Sequence, residues 1–330
     1  MTTVAVTGGS GYLGSVLVPY LIENGYNVIV IDRFFFGDNL KDHPNLTKIK
    51  ADIRNYENFE NCDVVMDLAA ISNDPAGSLF PQYTWQINCG GRLNIAKSAK
   101  KHKVPLYILA STASVYGFNE NVVDEDSPTN PLTTYAKANL AAEKLVSTLA
   151  DDKFKVIILR QATLFGYSPR MRFDLIINQM VRDVFSKNEI NVYGDGYQWR
   201  PFLHVKDSAI AFEKTIQIVN SLKNKEIFNT GVMNLTIYSI AQSIAYSFST
   251  LQKTIKINYV GMPDHRSYRI NCKKFMSLYG STWQTYEINF EEIYNILKAG
   301  IIDPYDPKTN TVEYYTALIK SNNKILENLK

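Results

Sequence analysis

Gly8, Gly11 and Gly14 recur at three-residue intervals in the run TGGSGYLG, residues 7–14. An apolar run at residues 4–6 precedes them, and a segment of helical periodicity follows. That order gives the spacing its chemistry. Gly8 permits a tight turn, Gly11 lets backbone approach a pyrophosphate, and Gly14 lets a helix pack close to a sheet. The helix start, with Tyr12 and Leu13 beside it, offers N–H groups and partial positive charge to the phosphates. Asp32 closes the next apolar run. A carboxylate there accepts hydrogen bonds from both adenosine ribose hydroxyls and repels a 2′-phosphate, so NAD is expected rather than NADP. The adjacent Arg33 offsets part of that repulsion. Asp52 and Ile53 follow the third run, where the adenine would lie. Phe34, Phe35 and Phe36 could wall that site, or serve as core or subunit contact. The bland alternatives are an ordinary glycine-rich turn and, for Asp32, a strand-end cap.

These residues need a scaffold, and the apolar pattern predicts one. Residues 12–23 set Leu13, Val16, Leu17, Tyr20 and Leu21 at helical spacing, with Pro19 removing one hydrogen bond. Residues 28–31, 46–49, 64–68, 106–109 and 156–159 read as strands, and 85–100 as a helix. Strands without polar alternation are buried on both faces, and their alternation with helices predicts an α/β, doubly wound parallel sheet of Rossmann type. Beyond about residue 166, Tyr, Asn, Lys and Ile become frequent and the rhythm loosens. The reading is a Rossmann domain over 1–165 plus 204–232, and a smaller α/β C-terminal substrate lobe over 166–203 plus 233–330. Residues 204–219 and 227–231 supply a helix and a strand that rejoin the first sheet, and 321–330 a frayed helix end.

Composition narrows the class. Hydrophobic residues make up 45% of the 330, enough for a packed core and too many for global disorder. Lys and Arg number 35 against 32 Asp and Glu, too balanced for bulk attraction to nucleic acid. No apolar run reaches the length of a membrane span, and the first residues lack the charged and apolar regions of a secretory signal. Cys62, Cys89 and Cys272 lie far apart, which points to a reduced, cytoplasmic protein. The four histidines show no metal-ligand spacing, so no metal is expected.

Read in order, TGGSGYLG, ADIRN (51–55), LAA (68–70), INCGGRLN (87–94), ASTASVYG (110–117), TTYAKANLAAEKL (133–145), RPFLHVKD (200–207) and PDHRSYRI (263–270) resemble the extended short-chain dehydrogenase/reductases, the NAD-dependent nucleotide-sugar epimerases and dehydratases. Within that family SPRMRFD (168–174) most resembles the GDP-heptose 4-dehydrogenases of bacterial capsule biosynthesis. The resemblance implies hydride transfer between NAD and C4 of a nucleotide-bound sugar, with Tyr135 as the base and Thr112 hydrogen-bonding the reacting oxygen. It places Leu68, Ala69, Ala70, Asn88 and Ser111 beside the cofactor, and Ser72, Asn73, Asn178, Arg200 and Arg266 beside the nucleotide sugar. It also implies a homodimer or higher oligomer, through helices at 85–100 and 135–150. Taken singly, Thr112 could be a strand-end hydroxyl, Tyr135 a half-buried aromatic, and each arginine a solvated charge.

Two departures from the family stand out. Its helix reads Tyr-x-x-x-Lys, and here the residue four after Tyr135 is Asn139. Lys137 lies nearly opposite around a helix and is no substitute. A unit charge about 6 Å away at an effective dielectric of about 20 is worth roughly 3 kcal/mol, or about two pKa units on a phenol. Asn139 can still bond ribose hydroxyls. The expectation is a less acidic Tyr135 and a hydride step displaced to higher pH, unless another cation, oxidised NAD included, takes over or the position carries an introduced change. Second, Ala113 and Ser114 stand where the 4,6-dehydratases carry Asp-Glu after the Thr, which disfavours dehydration. Asp67 replaces a histidine common before LAA, with no consequence assigned. The expected function is therefore NAD-dependent oxidation at C4 of a nucleotide-diphosphate sugar, such as GDP-heptose. The alternatives are a 4-epimerase or, in another class, a redox-silent NAD-binding regulator made plausible by Asn139.

Overall fold

The computed structural model describes residues 1–249, 254–262, 266–280, 283, 285 and 290–321. Part of PDHRSYRI (263–265) and the end segment 322–330 lie outside them. Seven strands pair in parallel in one sheet. They are β1 (Thr3–Thr7), β2 (Asn27–Asp32), β3 (Leu46–Lys50), β4 (Val64–Asp67), β5 (Leu106–Thr112), β7 (Lys155–Gln161) and β11 (Glu226–Thr230), with the two-residue β6 (Val122–Val123) apart. Their order across the sheet is β11-β7-β5-β4-β1-β2-β3. Val4, Ala5 and Val6 of β1 and Val64, Val65 and Met66 of β4 are buried on both faces. That burial explains the unbroken apolar runs.

Helices cover both faces. α1 (Gly14–Glu23) packs against α7 (Val205–Gln217) on one side. The short α2 (Asp74–Leu79) and α3 (Pro81–Trp85) lead to α4 (Arg92–Lys101) and α5 (Thr134–Ser147) on the other. α1 continues through Pro19. The helix expected over 85–100 is not uniform. A π-helical turn, Gln86–Gly91, separates α3 from α4. The apolar spacing does not register this, because a widened turn inserts a single residue into the pattern.

A second core joins α6 (Ile176–Lys187), α8 (Ile237–Ser249) and α10 (Phe290–Lys298) through Val181, Ile240 and Ile293. Small sheets border it. β10 (Trp199–His204) lies between β8 (Thr163–Phe165) and β12 (Met233–Thr236), β9 (Glu189–Tyr193) pairs with β13 (Lys256–Val260), and β14 (Arg269–Ile270) pairs with β6. α9 (Lys273–Tyr279) packs on β11, and α11 (Thr311–Ser321) packs on α2. Thr7, Asp32, Asp67 and Thr112 end their strands at one edge of the large sheet, where ligands of open parallel sheets bind.

Candidate active site

At that edge a cavity of about 890 Å³ runs from the glycine turn to Tyr135, Arg200 and Arg266. Gly8 has φ +68, and a Cβ there would sit 2.9 Å from the Ala69 backbone. A Cβ on Gly14 would sit 2.4 Å from the Gly8 carbonyl oxygen. Both glycines are therefore required sterically, and they bring the start of α1 against the cavity. Asp32 accepts hydrogen bonds from the Ser10 N–H at 3.0 Å and the Phe34 N–H at 2.8 Å. It is thus a strand-end cap as well as a cavity-lining carboxylate, and burial raises its pKa despite these donors. Arg33 is committed to Asp52 at 2.7 Å, with Arg54 on the same carboxylate at 2.8 Å. Burial pushes Asp52 up, but the Arg54 hydrogen bonds and the two arginine charges outweigh it and hold the carboxyl down. Phe35 and Phe36 line the cavity and pack on Tyr315 of α11.

At the other end Thr112 and Tyr135 line the same cavity, and the Thr112 hydroxyl accepts from the Ser114 N–H at 3.1 Å. Burial raises the Tyr135 pKa. Arg92 opposes it, Asp74 reinforces it, and Thr112 and Arg172 draw it back down. Ser111 donates to the buried Glu143, which pairs with Arg160 at 2.9 Å. Asn139 is fully buried: its Nδ2 donates to the Tyr135 carbonyl at 2.8 Å, and its Oδ1 accepts from Arg92.

The walls between these ends are charged. Arg172 grips Asp174 with two bonds of 2.9 Å and reaches the Ser72 hydroxyl at 3.3 Å, while Asn73 donates to Asp174 at 2.7 Å. Burial pushes the Asp174 carboxyl up, but Arg172 outweighs it and holds it below the usual range. Arg170 lies 3.8 Å over the Phe36 ring, and its Nη2 donates to Thr311. Its Nη1 has no hydrogen-bond partner among the described residues, and burial pushes its pKa down to about 10. Arg200 donates to the Arg266 carbonyl, and Arg266 pairs with Asp74.

The match to the description "NAD dependent epimerase/dehydratase family" spans residues 4–231. The chain belongs to this family. Its cofactor is NAD, and the glycine cradle and Asp32 fit that group. The UDP-N-acetyl-alpha-D-glucosaminuronate decarboxylase of Bacillus cytotoxicus is 29% identical over 287 residues, covering 82% of this chain and 87% of its own. The UDP-glucose 4-epimerase of Lacticaseibacillus casei is 27% identical over 271 residues, covering 73% and 81%. The solved structure of MoeE5 in complex with UDP-glucuronic acid and NAD is 26% identical, with a TM-score of 0.78, covering 90% of this chain and 99% of that one.

For this epimerase/dehydratase chain, most of the expected site residues line the cavity: the glycine turn, Asp32, Arg33, Asp52, Ile53, Leu68–Ala70 (68–70), Ser72, Asn73, Ser111, Thr112, Tyr135, Arg200 and Arg266. Three do not. Asn88 is buried, with both ends of its amide on the Ile71 backbone at 2.8 and 2.9 Å, so it shapes the loop after β4. Asn178 is saturated by the Gly166 N–H, the Tyr12 hydroxyl and the Arg172 carbonyl, and is fully buried. Asn139 faces Arg92 rather than the cavity. Conversely, Arg92, Arg170, Arg172 and Asp174 line the cavity unforeseen. The last three fall among the bends and turn of residues 169–175, where no regular period marks which side chains line the cavity.

Proposed function

We propose that the protein interconverts nucleotide-diphosphate sugars by reversible oxidation at C4, with 4-epimerisation of a UDP-sugar as the net outcome. The observation that carries this is the presence of Thr112 and Tyr135 together on the wall of a cavity continuous with the glycine turn. NAD, when bound, supplies the hydride acceptor. Tyr135 takes the proton of the C4 hydroxyl and returns it, and Thr112 holds both oxygens in line. Tyr12, Leu13 and Gly14 present the start of α1 to the cofactor pyrophosphate, and Asp32 takes its ribose hydroxyls. Arg172, Arg200 and Arg266 face the substrate diphosphate, where fork-shaped donors suit paired phosphate oxygens.

Dehydration is disfavoured because the positions after Thr112 carry the buried methyl of Ala113 and the Ser114 hydroxyl, bonded to the Tyr268 hydroxyl at 3.4 Å. The uridine reading rests on the relatives' substrates. A homodimer remains part of the proposal, and Trp85 and Leu145, both exposed, stand on the segments assigned to it. The test presents purified protein and NAD with UDP-glucose, UDP-N-acetylglucosamine and GDP-heptose, following NADH absorbance and separating products by chromatography. A C4 epimer without lasting NADH is expected. Accumulating NADH with GDP-heptose would replace epimerisation by net oxidation, and no turnover of any sugar would overturn the reading.

A further inference from the structure

We propose that Arg92 is the cation that activates Tyr135, delivered from α4 through Asn139 in place of a lysine on α5. The proposal rests on the reading of Tyr135 as the base, and it identifies how this chain sets that base. No cation on α5 is placed to serve: the residue four after Tyr135 is neutral, and Lys137 is exposed.

Arg92 is 2% exposed, among the most deeply buried of the large side chains, and it lines the cavity. A buried guanidinium needs partners, and those of Arg92 are informative. Its Nε donates to the Ala69 carbonyl at 3.3 Å, in the loop that borders the cofactor end. Its Nη1 donates to Asn139 Oδ1. The Asn139 amide is oriented from its other end, because Nδ2 is used by the Tyr135 carbonyl at 2.8 Å. The amide therefore couples Arg92 to the turn that carries the phenol. A lysine at 139 would instead bring an ammonium against the guanidinium, so the two residues are matched to each other.

The π-helical turn explains how α4 reaches this point. It ends at Gly91, immediately before Arg92, and so sets the direction in which Arg92 leaves the helix. The turn is clamped by Asn88 on Ile71 and by Gly91, where a Cβ would meet Ile53 at 2.8 Å. Asp67 completes the arrangement. Burial raises its pKa, but Arg92 pulls it back, together with the Thr7 hydroxyl at 2.5 Å and the Tyr107 hydroxyl.

The other charges facing Tyr135 leave room for this role. Asp74 on α2 acts against ionisation and is paired with Arg266. Arg172 favours ionisation but is held by Asp174. Glu143 and Arg160, from α5 and β7, close on each other. Of these charges Arg92 acts most strongly on the phenol.

The deciding measurement is the tyrosinate ultraviolet difference titration of Tyr135, obtained by subtracting the Tyr135→Phe protein in each background, with NAD present. Arg92→Met is expected to raise the phenol midpoint by about one to two pH units, and Asn139→Lys added to it to bring the midpoint back. The acidic, rising limb of the kcat–pH profile should move in parallel, with KM for the nucleotide sugar little changed. A folded Arg92→Met protein with an unmoved midpoint would overturn the proposal. If that variant does not fold, Arg92→Gln decides in its place: a midpoint raised by about a unit or more supports the role, and an unmoved one refutes it. Failure of the unaltered protein to turn over any nucleotide sugar would count against the function, while the phenol titration would still decide the role of Arg92.

Discussion

At the glycine end of the cavity, backbone does the work; at the tyrosine end, side-chain charges from separate elements do it. Gly8 and Gly14 stand where a single methyl would strike main chain, so position and residue type are fixed together. The phenol lies among Arg92 from α4, Asp74 from α2, Thr112 from β5 and Arg172 from the SPRMRFD segment. Charge acts through space, so its source can move between elements while the reacting group stays in place. A lysine can leave α5 if an arginine enters from α4. The two ends of one site thus tolerate change in different ways.

The largest effect that sharpens this contrast is expected from Tyr135→Phe. Losing a positioned acid–base group lowers kcat by about 10²- to 10⁴-fold, while NAD affinity by calorimetric titration stays within about twofold, less than 0.5 kcal/mol. A joint loss of both would erase the division. Arg172→Met comes next. It strands Asp174 in the interior, which typically costs about 3–5 kcal/mol of stability, and KM for the nucleotide sugar rises. Urea unfolding and initial rates check the two parts. Gly14→Ala probes the opposite end: overpacking against backbone costs about 1–3 kcal/mol, and the expected signature is weaker NAD binding with kcat at saturating NAD largely retained.

The same contrast explains what the sequence disclosed. Backbone requirements are local, so the turn at 7–14, Asp32 at the end of β2 and the parallel sheet could be read from spacing and apolar runs. The strand expected at 227–231 forms at Glu226–Thr230 and pairs with β7 at the sheet edge. The reacting centre was legible only in part. Tyr135 and Thr112 emerged by resemblance, but Arg92 lies 47 residues from Asn139 along the chain, and only folding joins them. The π-helical turn that precedes it leaves no mark on a helical pattern. Asn178 and Asn88 looked like ligand-binding amides because Asn serves equally well as an internal clamp. Arg170 and Arg172 sit in the irregular stretch of bends and turn at residues 169–175, so no regular period marks them as lining the cavity.

The smallest effect concerns an ion pair that neither end of the cavity uses. Glu292 on α10 receives the Lys206 ammonium at 2.5 Å, the His204 Nε2 at 3.1 Å and the Tyr167 N–H at 3.2 Å, tying the second core to the start of α7. Burial would raise its pKa, but the hydrogen bonds from His204 and Lys206 dominate and hold it at about 2, against an ordinary 4.5. A folded pKa below the unfolded one means stabilisation that is full above the unfolded value and drains away as pH falls toward the folded one. The Glu292 contribution is therefore complete at pH 7 and is lost as pH falls through 4.5 toward 2. Because the carboxylate is 21% exposed, water screens part of the interaction, and the net contribution is about 1 kcal/mol. Glu292→Gln should be less stable than the parent at pH 7, and the two urea midpoints should converge as pH is lowered through that window. Since neither Tyr135 nor the glycine turn is touched, kcat and NAD affinity at neutral pH should not change. A constant gap between the midpoints down to pH 3 would mean that packing of α10, rather than its charge, holds this corner.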